Sequence, residues 1–303
     1  MLDGRVKTLH PKIHAGILAI RDKEQHIADL KSQEISSIDL VIVNFYPFEA
    51  TIADEGVGFQ EVIENIDIGG PTIVRAASKN FQDVSVVVDP SDYESLIEKI
   101  SNGALSIDKE FNYNLAKKAL SYVAKYDAAI SNHLGILNLD NSKNKMPETL
   151  TLHYKKSYDL RYGENPHQQG SFFVQDNITE PCIANSNQLQ GKELSLNNIY
   201  DADSCLETVK EFKTNACVIV KHNNPCGVCC STTLYESYEL AVQTDEQSSF
   251  GGIVALNREV DEKLSRLMLA SFKEGLIAPS FTNEALRILS EKPNLRILQI
   301  DLH

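Results

Sequence analysis

Ala216-Cys217-Val218-Ile219-Val220-Lys221-His222-Asn223-Asn224-Pro225-Cys226-Gly227 is the stretch on which the reading of the fold turns. Its apolar, β-branched run predicts a strand buried on both faces, as in a parallel sheet. The run stops at a cation, an imidazole, two amides, a proline and a glycine, and ligands of α/β sheets sit at such strand ends. Lys221 can hold developing negative charge, while His222 can move a proton because imidazole titrates near neutrality. A polar exit from strand to loop, with no chemistry, accounts for the same residues.

The flanking sequence continues the alternation. A helix is expected from about Asp201 to Lys213, another around Leu234 to Val242, a strand over Gly251 to Leu256, and a helix over Lys263 to Phe272. Earlier in the chain, Ile38-Asp39-Leu40-Val41-Ile42-Val43 and Val84-Ser85-Val86-Val87-Val88 are strand-like runs with room for helices between them, the signature of βαβ units and a parallel sheet. Asp89-Pro90-Ser91-Asp92 reads as a helix start, with Tyr93, Leu96, Ile97 and Ile100 at helical spacing. From Phe111 to His133 an amphipathic helix carries Leu115, Ala119, Tyr122, Val123, Tyr126 and Ile130 on one side. The stretch from Asn138 to Glu148 is polar and turn-rich, which divides the chain into a first α/β domain over 1–140, a linker over 141–150 and a second α/β domain over 151–303.

Composition narrows the function. A formal net charge of -13 disfavours nucleic acid or an anionic membrane as partner, since neutralising phosphates needs clustered cations. Any anion has to be held locally, and Arg5, Lys7, His10, Lys12 and His14 offer one such cluster. No apolar run approaches the roughly 20 residues that span a bilayer, and no signal peptide is evident, so a cytoplasmic location is expected. The 6 cysteines do not suggest a disulfide framework in a chain of 303 residues. Cys226-x-x-Cys229-Cys230 has zinc-like spacing but lacks a second ligand pair, and a deaminase-like zinc site would need a His-x-Glu upstream that is missing; no metal is expected.

Longer blocks then carry a family resemblance. In the second half these are Leu160-Arg161-Tyr162-Gly163-Glu164-Asn165-Pro166-His167-Gln168, Lys192-Glu193-Leu194-Ser195, Asn197-Asn198, the Lys221-His222 stretch and Ser248-Ser249-Phe250-Gly251-Gly252-Ile253-Val254-Ala255-Leu256-Asn257-Arg258. In the first half they are Gly4-Arg5-Val6-Lys7-Thr8-Leu9-His10-Pro11, Asn44-Phe45-Tyr46-Pro47-Phe48, Ile66-Asp67-Ile68-Gly69-Gly70-Pro71 and Arg75-Ala76-Ala77-Ser78-Lys79-Asn80. In this order and over nearly the whole chain, they resemble the bifunctional AICAR formyltransferase/IMP cyclohydrolase family of purine biosynthesis. The resemblance implies a methylglyoxal-synthase-like, parallel-sheet cyclohydrolase domain followed by a cytidine-deaminase-like formyltransferase domain. Family members carry a further N-terminal segment and continue well beyond the region matching Gly275-Leu276-Ile277-Ala278-Pro279. Both domains are therefore expected to be incomplete, with Met1 matching an internal methionine of a longer chain.

The implied activity is formyl transfer from 10-formyltetrahydrofolate to AICAR, then cyclisation of formyl-AICAR to IMP with loss of water. For ring closure the resemblance assigns Lys7, Tyr46, Asp67 and Lys79 to catalysis. Arg5 and Thr8 suit contacts to the nucleotide phosphate, Asn44 stands at a strand's C-terminal end where an amide can read the base, and Ile68, Gly69 and Gly70 are expected at the substrate. Their types suit an intramolecular reaction, in which the protein fixes geometry, moves protons and stabilises an oxyanion. Gly69-Gly70-Pro71 also suits close backbone approach, with Pro71 as the first residue of a helix whose N-terminus favours an anion. Phe45 stands where the family commonly has leucine.

For formyl transfer the resemblance makes His222 the base and Lys221 the group that stabilises the tetrahedral intermediate. Arg161, Tyr162, Gly251 and Glu274 contact substrate, Glu274 standing where the family often has aspartate. His167 reads as part of a turn rather than a second base. The family's formyltransferase site forms between two subunits, which implies a homodimer. The alternative reading is a catalytically incomplete fragment that keeps only nucleotide binding or a folding core.

Overall fold

The computed structural model of the chain describes Leu2 and residues 5–101, 108–176 and 178–302. Met1 and Gly4, both part of the readings above, lie outside the described residues, as does His303. The chain forms two compact units, 1–153 and 154–303. Asn132 exchanges two hydrogen bonds with the backbone of Thr151, and Ser121 bonds His153, so the residues just past the expected linker are tied to the first unit.

The first unit runs α1 (Pro11–Leu18), α2 (Glu24–Ser32), β1 (Leu40–Ile42), α3 (Phe48–Ile52), α4 (Phe59–Glu64), α5 (Gly69–Lys79), β2 (Ser85–Val87), a 3-10 turn (Pro90–Asp92), α6 (Tyr93–Ser101) and α7 (Lys109–Ile136). The two β-branched runs pair in parallel, with Val41 opposite Val86. Val74 and Ala77 of α5 and Ala119 and Val123 of α7 close over them in one core with Phe48 and Tyr126. Asp89 caps the 3-10 turn through Ser91, and Asp108 caps α7 through Phe111, each satisfying a backbone N–H that a helix start leaves open. Of the apolar positions expected to line α6, Leu96 is buried, whereas Ile97 and Ile100 face solvent.

The second unit contains β3 (Lys155–Asp159), β4 (Ser171–Val174), a 3-10 turn (Ile183–Asn185), β5 (Asn187–Gln190), α8 (Leu196–Lys210), β6 (Ala216–Lys221) and β7 (Asn224–Cys230). It continues with α9 (Leu234–Thr244), α10 (Glu246–Ser249), β8 (Ile253–Leu256), α11 (Glu262–Leu269), β9 (Gly275–Ala278), α12 (Asn283–Leu289) and β10 (Arg296–Gln299). Six strands form one mixed sheet in the order β5-β10-β9-β8-β6-β7, and β8, β9 and β10 are mutually parallel. Cores lie on both faces of this sheet, one around Ile219, Leu256 and Leu276, the other around Val218, Val220 and Ile277.

Two expectations need correction. β6 is buried on both faces as its composition demands, yet it runs antiparallel to both neighbours, β7 and β8. Burial sets the apolar run; strand direction does not appear in it. The polar residues beyond Lys221 are also not a loop, because Asn224–Cys230 returns as β7 through a two-residue turn at His222 and Asn223. The ladder tolerates Pro225 because the strand bulges there, where the register shifts opposite Ile219 and Val220.

Candidate functional site

The first constellation gathers at one end of α5. A cavity of about 1010 Å³ is lined by Arg5, Lys7, Thr8, Asn44, Tyr46, Asp67, Ile68, Gly69 and Gly70 together with apolar residues of β1 and its neighbours. Lys7 Nζ donates to Tyr46 Oη at 3.0 Å, and that hydrogen bond is the first cause of a Lys7 pKa above the ordinary lysine value. Asp67 organises the rest. One of its oxygens accepts the backbone N–H of Gly70 at 2.9 Å and the other that of Tyr46 at 3.3 Å, so one carboxylate joins the start of α5 to the Tyr46 loop. The Asp67 N–H in turn donates to Tyr126 Oη at 2.8 Å, which ties the carboxylate to α7.

The glycines are there for space. A Cβ on Gly69 would lie 2.5 Å from Thr8 Oγ1, and one on Gly70 would lie 2.6 Å from Asp67 Oδ2. Helix α5 starts at Gly69, so Pro71 is its third residue rather than its first; its missing N–H still falls within the turn that has no intrahelical acceptor. Arg5 is held bidentately by Glu64, at 2.8 and 3.2 Å. Lys79 does not join the cluster. It occupies the exposed last turn of α5, about 15 Å along the helix from Gly69 at the usual rise per residue, and it does not line the cavity.

The second constellation is built by sheet register. Val220, Ile253, Gly275 and Arg296 stand side by side on β6, β8, β9 and β10. Lys221, Gly252 and Glu274 therefore lie one step outward along the same edge, a line of about 10 Å at the usual strand spacing. This edge is the C-terminal end of β6 but the N-terminal end of β8, β9 and β10, a direct consequence of β6 running backwards. Lys221 Nζ donates to the carbonyl of Phe250 at 2.7 Å, beside Gly251, whose φ of 76° lets the chain turn there.

His222 and Asn223 both adopt left-handed conformations, φ 54° and 61°, as a two-residue hairpin turn requires. Asp201 of α8 offsets that strain by accepting both N–H groups, His222 at 3.3 Å and Asn223 at 2.7 Å. The His222 side chain is left exposed, with no hydrogen bond among the described residues.

Arg161 Nη2 donates to Tyr162 Oη at 3.0 Å, and this bond, followed by one with Ser195, lowers the Tyr162 pKa. The Glu274 carboxylate is paired with Arg296 at 2.7 Å. His167 lies in a turn closed by Gln168 N–H to the Asn165 carbonyl. Asp201, Tyr126 and Arg296 were not evident from sequence. Only Ser195 left a signal, a capping box with Asn198 that starts α8 at Leu196, ahead of its expected start.

Among the described residues no three His, Cys, Asp or Glu side chains converge as a metal site would, and no helix is long and apolar enough to cross a membrane. The sequence matches the AICARFT/IMPCHase bienzyme family over residues 77–303 and the MGS-like domain over residues 1–72. The bifunctional purine biosynthesis protein PurH of Acetivibrio thermocellus is 48% identical over 300 residues, which cover 99% of this chain and 58% of that protein. The chain thus spans 58% of the length of this curated relative. The crystal structure of ForH is 34% identical over 43% of this chain and 66% of that chain, with a TM-score of 0.39, too low to carry an argument.

Proposed function

This chain belongs to the AICARFT/IMPCHase bienzyme family, and we propose on that footing that its two units carry the two half-reactions of IMP formation. In the first unit the carboxamide nitrogen of formyl-AICAR adds to its own formyl carbon, and the resulting hydroxyl leaves as water. Lys7 and Tyr46, hydrogen-bonded to each other, would supply a proton and steady the oxyanion. Asp67 would act by holding the Tyr46 loop and the start of α5, with Thr8, Gly69, Gly70 and Arg5 around the phosphate. Arg5 can reach an anion only by leaving Glu64. Lys79, expected to share in ring closure, stands in the last turn of α5 and does not line this cavity.

In the second unit the exocyclic amine of AICAR attacks the formyl carbon of 10-formyltetrahydrofolate. The amine proton passes to His222 as the bond forms, Lys221 steadies the tetrahedral oxyanion, and the folate nitrogen leaves and takes a proton. Arg161, Tyr162, Gly251 and Glu274 would hold the ribonucleotide. A homodimer and a cytoplasmic location belong to the same proposal.

The observation that carries it is the Lys7–Tyr46–Asp67 cluster opening on a cavity at the start of α5, made of residues from three separate family blocks. The test is to supply the chain with formyl-AICAR, or with AICAR and 10-formyltetrahydrofolate, and follow IMP and formyl-AICAR separately. Binding and turnover of both supports the reading; a folded chain that binds neither nucleotide refutes it.

A further inference from the structure

Arg296 opens β10 and is only 4% exposed, a cation removed from water at the edge where the second constellation lies. Burial of a guanidinium is costly unless its donors find acceptors. Nη1 donates to Glu274 Oε2 at 2.7 Å and to the Glu274 carbonyl at 3.4 Å, while Nε and Nη2 both reach the carbonyl of Glu193, at 3.3 and 3.2 Å. The next carbonyl, that of Leu194, accepts the backbone N–H of Arg161 at 3.2 Å, and the Leu196 N–H donates to the carbonyl of Tyr162 at 3.5 Å. Gly191 fixes the near end of this segment. Its φ is 105°, and a Cβ there would come within 2.6 Å of Arg296 Cα. One guanidinium therefore joins Glu274 to the Glu193–Leu196 segment, whose backbone is hydrogen-bonded to that of Arg161 and Tyr162. The Glu274 side chain stays 39% exposed, with Oε1 unpartnered among the described residues.

We propose that Arg296 is a positioning residue of the formyl-transfer site, aiming the Glu274 carboxylate and the Arg161–Tyr162 pair at one aminoimidazole carboxamide ribonucleotide. This rests on the formyltransferase reading above and adds to it a residue that does not touch the substrate. The free oxygen of Glu274 accepts an N–H of the amine or carboxamide. Arg161 faces the anionic part. A lysine at 296 can still pair with Glu274, but it lacks the planar fork that also grips Glu193.

The test titrates AICAR into the full chain by calorimetry for wild type, Arg296→Lys, Arg296→Met, Glu274→Gln and the Arg296→Met/Glu274→Gln double variant. Thermal stability and amide hydrogen exchange are recorded for each. Arg296→Met is expected to weaken binding about tenfold or more, as loss of a charge-assisted hydrogen bond does, with Arg296→Lys in between. The double variant should bind no more weakly than the weaker single one, because one residue acts through the other. Exchange should quicken at the amides of Arg161 and Leu196. Wild-type affinity and exchange in both Arg296 variants overturn the proposal and leave the site reading standing. Additive losses also overturn it, since they make Arg296 a general support of the fold. A wild-type chain that binds no AICAR overturns the formyltransferase reading and this proposal with it. Should Arg296→Met fail to fold, Arg296→Lys, which keeps the charge, decides.

Discussion

Lys7 Nζ lies 3.0 Å from the hydroxyl of Tyr46, a contact between residues 39 apart in sequence. Neither position is buried, so the pair is not there to fill a core. What brings it together is Asp67, whose carboxylate holds the Tyr46 backbone on one side and the start of α5 on the other. An amine and a phenol sharing a proton at the mouth of a cavity can donate to a leaving oxygen and take the proton back from solvent.

The Lys7–Tyr46 bond sets a pH signature. Because the folded Lys7 pKa lies above its ordinary value of 10.5, the stability that the pair adds is fully present below that value and is lost as the pH rises through the raised one. Tyr46→Phe removes the hydrogen bond that does most to raise the Lys7 pKa and should bring Lys7 back toward ordinary titration. Nitrogen NMR of the Lys7 ammonium checks this; an unchanged titration in Tyr46→Phe would mean that the two side chains are not bonded in solution.

Gly70→Ala should disturb the site without removing any of its polar side chains. The new methyl would sit 2.6 Å from Asp67 Oδ2 and 2.9 Å from the Phe45 ring, so the carboxylate has to move and release Tyr46 N–H. A stability loss of about 1–3 kcal/mol is expected from the overpacking, with ring closure falling further than stability. Chemical denaturation together with the cyclisation assay checks it. Retention of full cyclisation would show that Asp67 does not organise the site.

Lys273 is buried beside Glu274, its ammonium donating to Ser271 Oγ at 2.8 Å, and burial lowers its pKa. A lysine with a folded pKa below its unfolded one binds fewer protons folded than unfolded between the two values, so stability rises with pH across that window. Lys273→Met should raise the melting temperature near neutral pH and remove that alkaline rise. Thermal melts from neutral to alkaline pH measure both; a lower melting temperature for Lys273→Met would show that the buried charge is paid for by its partners.

Much of this arrangement was legible in the sequence because it rests on local pattern. The runs around Val41 and Val86, the cap at Asp89, and the long helix through Ala119 and Val123 follow from β-branching, capping chemistry and helical spacing. What was not legible is non-local. Nothing in Val218-Ile219-Val220 records that β6 runs antiparallel to β8, and Pro225 and Gly227 disguise β7 as a loop until the bulge is seen. The site followed the same division. Blocks of sequence identified Lys7, Tyr46 and Asp67 together, but only the helix geometry of α5 separates Lys79 from them. Only the register of β9 and β10 brings Arg296 beside Glu274.

The central claim is that two constellations in two units perform different steps, and the most direct measurement assays formyl transfer and cyclisation separately in Asp67→Ala and His222→Ala. Removal of a general base costs about 10²-fold or more. His222→Ala should therefore lose formyl transfer by that order and keep cyclisation, while Asp67→Ala should lose cyclisation and keep formyl transfer. Loss of both activities in either variant, in protein that remains folded, would contradict the account.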